Sequence, residues 1–204
     1  MRSNMDKGTV ICFGDSNTWG YDPATGRRYP ADVRWVDLLK EMTGWDTVNV
    51  GLNGREIPHT EAEKAELIKL LDDAKEGKFK APVKLWILLG ANDIQSNIGF
   101  SAEDVCNRMK NLLLELMWHD AVQDGTVELR VLGPALTKVG PWSDAHMVEE
   151  LRRAGGTLYK LMCKELGIAY TDLGTTDIEL AGDGDHFSPA GHKAVAELLS
   201  GLLS

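Results

Sequence analysis

At 204 residues the chain has the length of one domain with a full hydrophobic core. Its 31 acidic side chains outnumber 22 basic ones, and a formal charge of −9 argues against the basic surface that a nucleic acid would require. No run reaches the roughly 18 apolar residues of a membrane-spanning helix, so a soluble protein that uses no membrane is expected.

Residues 1–8 hold no apolar core of signal-peptide length. They read as a loose extension, with Met1 and Met5 both candidate starts, to one domain over 1–204. Cys12, Cys106 and Cys163 form an odd set, two of them in apolar segments, which fits free thiols in a reducing cytoplasm. Short runs rich in β-branched and aliphatic residues predict strands over 9–13, 47–50, 85–89, 129–132 and 168–171, alternating with helical patterns. The 85–89 run, Leu-Trp-Ile-Leu-Leu, is apolar throughout, as for a parallel strand covered on both faces. Residues 21–30 are rich in aromatics, proline and glycine and read as an ordered loop over a site, with a solvated connection as the alternative.

The helices carry their own signals. A helix over 34–43 stops at Gly44, Thr60 with Glu63 forms a capping box, and Ser101 with Asp104 forms a shorter one. Val105, Met109, Leu112, Leu113, Leu116 and Met117 keep helical spacing and predict a core face. One long helix is expected from about 144 to 166, ending at Gly167. Ser188-Pro189 caps a last helix over 190–202, which leaves His186 in the loop before it.

The chemistry-bearing residues follow the strand ends, where ligands bind in open parallel sheets. Gly14-Asp15-Ser16 closes the first strand in a turn that can expose one hydroxyl, making Ser16 a candidate nucleophile. Asp183 and His186, three apart in a loop, can pair so that Nε2 faces a serine. Asp185 competes with Asp183, but adjacent residues in extended chain point to opposite sides, which favours Asp183. Gly90-Ala91-Asn92-Asp93 could supply an amide donor to an oxyanion, or simply cap the next segment. Gly54 adds a backbone N–H after the second strand.

Gly14-Asp15-Ser16, Gly54, Gly90-x-Asn92-Asp93 and Asp183-x-x-His186 resemble, in order, the four motif blocks of the SGNH/GDSL hydrolases, and they span almost the whole chain. The resemblance implies a flavodoxin-like three-layer α/β/α sandwich with a five-stranded parallel sheet. It also implies Ser16 as nucleophile, His186 as base, Asp183 as its partner, and an oxyanion hole from the Ser16 and Gly54 N–H groups and the Asn92 amide. The stretches Cys12–Gly20 and Asp32-Val33-Arg34-Trp35 are similar to the arylesterase and acyltransferase branch, whose members favour small acyl esters. The loop from Gly133-Pro134-Ala135-Leu136 to Pro141-Trp142 is similar in place and composition to that branch's pocket wall.

The expected activity is hydrolysis of short acyl esters, acetyl first, of small alcohols, phenols or sugars through an acyl-serine, with no cofactor and no metal. The partner is a small-molecule ester, and a homo-oligomer is a candidate assembly. Trp19, Ile94, Leu136 and Phe187 are candidate apolar walls of the substrate pocket, with core packing as the alternative for each. Acyl transfer to an alcohol is the nearest alternative. A metal hydrolase built on Asp183, Asp185, His186 and His192 and a non-catalytic carbohydrate-binding relative are weaker ones. No Gly-x-Ser-x-Gly elbow is present.

Overall fold

Five strands form one parallel sheet: β1 (Thr9–Gly14), β2 (Asp46–Gly51), β3 (Val83–Leu88), β4 (Val127–Gly133) and β5 (Ala169–Asp172). The structure is a computed structural model that describes residues 7–134 and 136–203. The sheet order is β2-β1-β3-β4-β5, so the chain reverses its progress across the sheet between β1 and β3. That reversal opens a crevice beyond the carboxyl ends of the strands. Each expected strand is present, with bounds one or two residues from those read in the sequence.

Helices cover both faces. The longer ones are α1 (Trp35–Thr43), α2 (Glu61–Lys75), α3 (Ala102–Met117), α4 (Ala145–Arg153), α5 (Lys160–Leu166) and α6 (Pro189–Ser200). Alternate strand residues point to opposite sides. Ile11, Phe13, Leu85, Ile87 and Val131 therefore pack with Leu67 and Leu71 of α2, Met109 and Leu113 of α3, and Met162 of α5. Val10, Cys12, Trp86, Leu88 and Leu132 pack instead with Trp35 and Leu39 of α1 and Val195 and Leu199 of α6. A strand buried on both faces has no polar side to show, which accounts for the unbroken apolar run of residues 85–88 in β3. Each fully buried Leu or Ile in these layers contributes about 1.5–3 kcal/mol over exposure.

The caps form as read. Thr60 with Glu63 and Ser101 with Asp104 make reciprocal capping boxes, Ser188 caps α6 ahead of Pro189, and Gly44 and Gly167 close their helices in the left-handed conformation. The expected helix over 144–166 is divided by a six-residue π-helical turn, Ala154–Tyr159, between α4 and α5. Gly155 and Gly156 weaken the helix there, and the Tyr170 hydroxyl donates to the Gly155 carbonyl.

The ordered loop expected over residues 21–30 contains a small hairpin that pairs Tyr21–Asp22 with Arg27–Arg28. The Asp22 carboxylate closes it by accepting from the Ala24 N–H at 3.0 Å and the Thr25 hydroxyl at 2.7 Å. Met1 and Met5 lie outside the described residues, as does Ala135 in the expected pocket-wall loop. Gly8, assigned to a loose extension from sequence, is anchored: its carbonyl accepts the Asp46 N–H at 3.0 Å, and a side chain there would strike Pro82. Among the described residues no helix is long and apolar enough to cross a membrane.

Candidate active site

β1 ends in a one-turn helix, Ser16–Trp19. Asp15 caps it, its carboxylate accepting the Asn17 N–H at 2.9 Å. Asp15 is buried, and burial pushes its carboxyl up to about 7. The helix backbone lies directly on the end of β2: a Cβ at Gly51 would fall 2.1 Å from the Trp19 nitrogen, so only glycine fits. Ser16 is thereby held at the crevice with its hydroxyl toward the loop before α6.

In that loop Asp183 Oδ2 lies 2.6 Å from His186 Nδ1, and His186 Nε2 lies 2.9 Å from Ser16 Oγ. With Nδ1–H donating to the carboxylate, Nε2 is the acceptor for the serine hydroxyl. Burial acts to raise Asp183. The hydrogen bonds from the His186 ring and from the His186 and Asp185 backbone N–H groups outweigh it and hold the carboxylate below its ordinary range. Asn17, which sequence reasoning missed, clasps the chain on either side of His186. Its Nδ2 donates to the Asp185 carbonyl at 3.2 Å and its Oδ1 accepts the Phe187 N–H at 2.8 Å.

Gly54 and Asn92 come together because the loop after β2 is clipped to the end of β3. Asn92 Nδ2 donates to the Arg55 carbonyl at 3.1 Å, and the Ile57 N–H donates to Asp93 Oδ2 at 3.0 Å. The Arg55 guanidinium lies over Phe13, 4.0 Å from the ring centroid, and donates to the Val50 carbonyl at 2.5 Å. Asp93 is wholly buried and takes the Arg108 guanidinium at 2.8 Å, yet burial still raises its carboxyl to about 6. Gly90 is required where the chain turns: its φ is +128°, and a Cβ would lie 2.6 Å from the Tyr159 hydroxyl, which itself donates to the Leu89 carbonyl.

Ser16, Gly54, Asn92 and His186 line one cavity of about 260 Å³, shared with Tyr21, Asn53, Gln95, Trp142 and Asp185. The Tyr21 ring lies against the His186 imidazole at 4.7 Å between centroids, and Trp142 comes from the expected pocket-wall loop. The expected apolar walls are not among these residues. Ile94 and Phe187 belong to the two cores. The short helix Ala91–Ser96 turns Asn92 and Gln95 to the cavity and therefore Ile94 inward. Phe187, next to His186, points the opposite way and meets His192 edge-on at 5.4 Å. Trp19 stacks beside Tyr21 and under Arg28 outside the lining, and Leu136 is half-exposed and also outside it. Gln95 was readable in principle from its helical spacing to Asn92.

The four ligands considered for a metal do not converge, and among the described residues no group of three or more His, Cys, Asp or Glu is arranged to hold one. His192 lies in the core, where its Nδ1 accepts the Trp35 N–H at 3.4 Å and burial lowers the imidazole to about 4. Asp185 is also buried and thereby raised, and it faces Gln95, whose Nε2 donates to Asp185 Oδ1 at 2.8 Å and to Ser143 Oγ at 2.9 Å.

A protein assigned as an arylesterase from Agrobacterium tumefaciens str. C58 is similar at 28% identity and a TM-score of 0.80, over 96% of this chain and 97% of that one. The native aryl esterase of M. smegmatis, at 21% identity and a TM-score of 0.79, matches 96% of this chain and 97% of its own. A carbohydrate acetylesterase family member from Sinorhizobium meliloti, at 24% and 0.80, matches 96% of each. The last two speak to the fold alone. A search of curated proteins gives no significant match. The pattern of the GDSL-like Lipase/Acylhydrolase family matches residues 12–194, from the strand ahead of Ser16 to the helix after His186. The chain belongs to that family of serine ester hydrolases.

Proposed function

We propose that the chain, acting as one domain over 1–204, hydrolyses short-chain acyl esters, acetyl esters first, through an acyl-serine on Ser16. The reading is supported above all by the unbroken chain from Ser16 Oγ to His186 Nε2 at 2.9 Å and from His186 Nδ1 to Asp183 Oδ2 at 2.6 Å. As Ser16 Oγ attacks the ester carbonyl, its proton passes to Nε2, and Asp183 stabilises the imidazolium that results. The carbonyl oxygen becomes an oxyanion received by the Ser16 and Gly54 N–H groups and the Asn92 amide. The bond to the alcohol oxygen then breaks, and His186 returns the proton to the departing alcohol. Water attacks the acyl-serine as His186 takes its proton, and the acid leaves with the Ser16 hydroxyl restored.

The short-chain preference is supported by size. A cavity of about 260 Å³ falls below the usual range of about 300–1,000 Å³ for pockets that hold larger ligands. The three cysteines are free thiols, two of them buried, which supports a reducing cytoplasmic location. An acyl panel from acetyl to octanoyl, run on wild type and Ser16→Ala, tests the reading. Turnover should fall with chain length and vanish in the variant; undiminished turnover by Ser16→Ala would reject the nucleophile.

A further inference from the structure

The mechanism leaves one buried carboxylate of the cavity without a task. Asp185 is 7% exposed and lines the space shared by Ser16 and His186. Asp183, not Asp185, orients the imidazole. Asp185 Oδ1 receives Gln95 Nε2 at 2.8 Å, and its second oxygen has no hydrogen-bond partner among the described residues. A buried carboxylate is costly unless hydrogen-bonded, and when ionised it can only accept. The second oxygen is not among the buried side-chain atoms left without a partner, so it is reached from the open side of the group, which is the cavity.

The reaction fixes which part of the substrate reaches that side. The departing alcohol oxygen must take its proton from His186 Nε2, whereas the carbonyl oxygen faces Gly54 and Asn92. The alcohol portion thus extends along His186 toward its neighbour Asp185 and Gln95. We propose that Asp185 is a specificity-determining residue that accepts a hydrogen bond from a hydroxyl of the substrate's alcohol portion, so that the site selects esters of polyols over esters of apolar alcohols. The proposal rests on the esterase reading of the same cavity. A hydroxyl suits the remaining polar lining, because the neutral amides of Asn53, Asn92 and Gln95 both donate and accept, as a hydroxyl does. Tyr21 and Trp142 supply flat apolar surface for the carbon skeleton.

The test compares kcat/KM for glyceryl monoacetate and phenyl acetate in wild type, Asp185→Ala and Asp185→Asn. Loss of a charge-assisted hydrogen bond should lower the ratio of the two values by about 10- to 100-fold in Asp185→Ala. Asp185→Asn keeps the volume and the oxygen that receives Gln95, and decides the matter if the alanine variant does not fold. It should lower the ratio by at least about threefold. An unchanged ratio, or parallel loss on both esters, would overturn the proposal. So would a larger effect on acetylcholine than on glyceryl monoacetate, which would assign the site to a cation. Ser16→Ala keeps the two questions apart: if it retains phenyl acetate hydrolysis the esterase reading fails, whereas an unchanged ratio beside an inactive Ser16→Ala removes only the role of Asp185.

Discussion

Replacing Asn17 with alanine removes both bonds that fasten the His186 loop to the helix that begins at Ser16, 3.2 Å to the Asp185 carbonyl and 2.8 Å from the Phe187 N–H. The two backbone groups left behind flank a buried histidine, and an unsatisfied buried polar group costs about 1–3 kcal/mol. Together they put the cost at about 2–6 kcal/mol, below most of the typical range of total stability of about 5–15 kcal/mol, so the chain still folds while the loop before α6 loosens. The Trp35 indole, which donates to the Asn17 backbone carbonyl at 3.0 Å, keeps its partner in the variant and continues to anchor the helix. A displacement of about 1 Å between base and nucleophile costs on the order of 100-fold in rate. Steady-state hydrolysis of phenyl acetate should show kcat down about 100-fold with KM within about threefold, and thermal unfolding followed by circular dichroism should show a cooperative transition at lower temperature. Asn17→Asp keeps the acceptor but sets an oxygen against the Asp185 carbonyl, so it should do no better than alanine. Wild-type kcat in Asn17→Ala, or a loss confined to KM, would refute the argument.

Asp183→Asn removes the charge that stabilises the imidazolium and should lower kcat by about 1,000- to 10,000-fold with the fold intact; a loss under tenfold on phenyl acetate would count against its assignment. Asn92→Ala removes one oxyanion donor and should cost about 100- to 1,000-fold in kcat, read in the same assay, with residual turnover above that of Ser16→Ala. Asp15 makes stability depend on pH with a definite sign. The folded chain holds its proton up to about 7 while the unfolded chain releases it near 3.8, so between these values the folded state binds more protons and stability falls as pH rises. Asp15→Asn removes that share, and urea unfolding should find it gaining about 3 kcal/mol on wild type between pH 5 and pH 8. Equal pH slopes for the two proteins would contradict the buried, protonated carboxyl.

The sheet and most of its helices were readable because their signals are local. A strand buried on both faces announces itself by an unbroken apolar run, as in 85–89, and a capping box by two residues three apart, as in Thr60 and Glu63. The hairpin of 21–30 was not readable, since strands of two residues carry no periodicity, and the π-helical turn was hidden inside an otherwise regular helical pattern. The pairing of Asp183 with His186 was likewise a matter of spacing within one loop.

What the sequence by itself determined is therefore the five strands of the sheet, the longer helices and their caps, and which residues follow the strand ends. Only the tertiary structure decided how those ends meet. The order β2-β1-β3 brings the loops of Ser16, Gly54 and Asn92 to one crevice, and the Asn17 bond to a carbonyl 168 residues away closes it. The same packing sent Ile94 and Phe187 into the cores and left Gln95 and Asp185 facing the cavity. Periodicity is a property of neighbouring residues, whereas the side of a loop that faces a cavity is set by segments distant in the chain that pack against it.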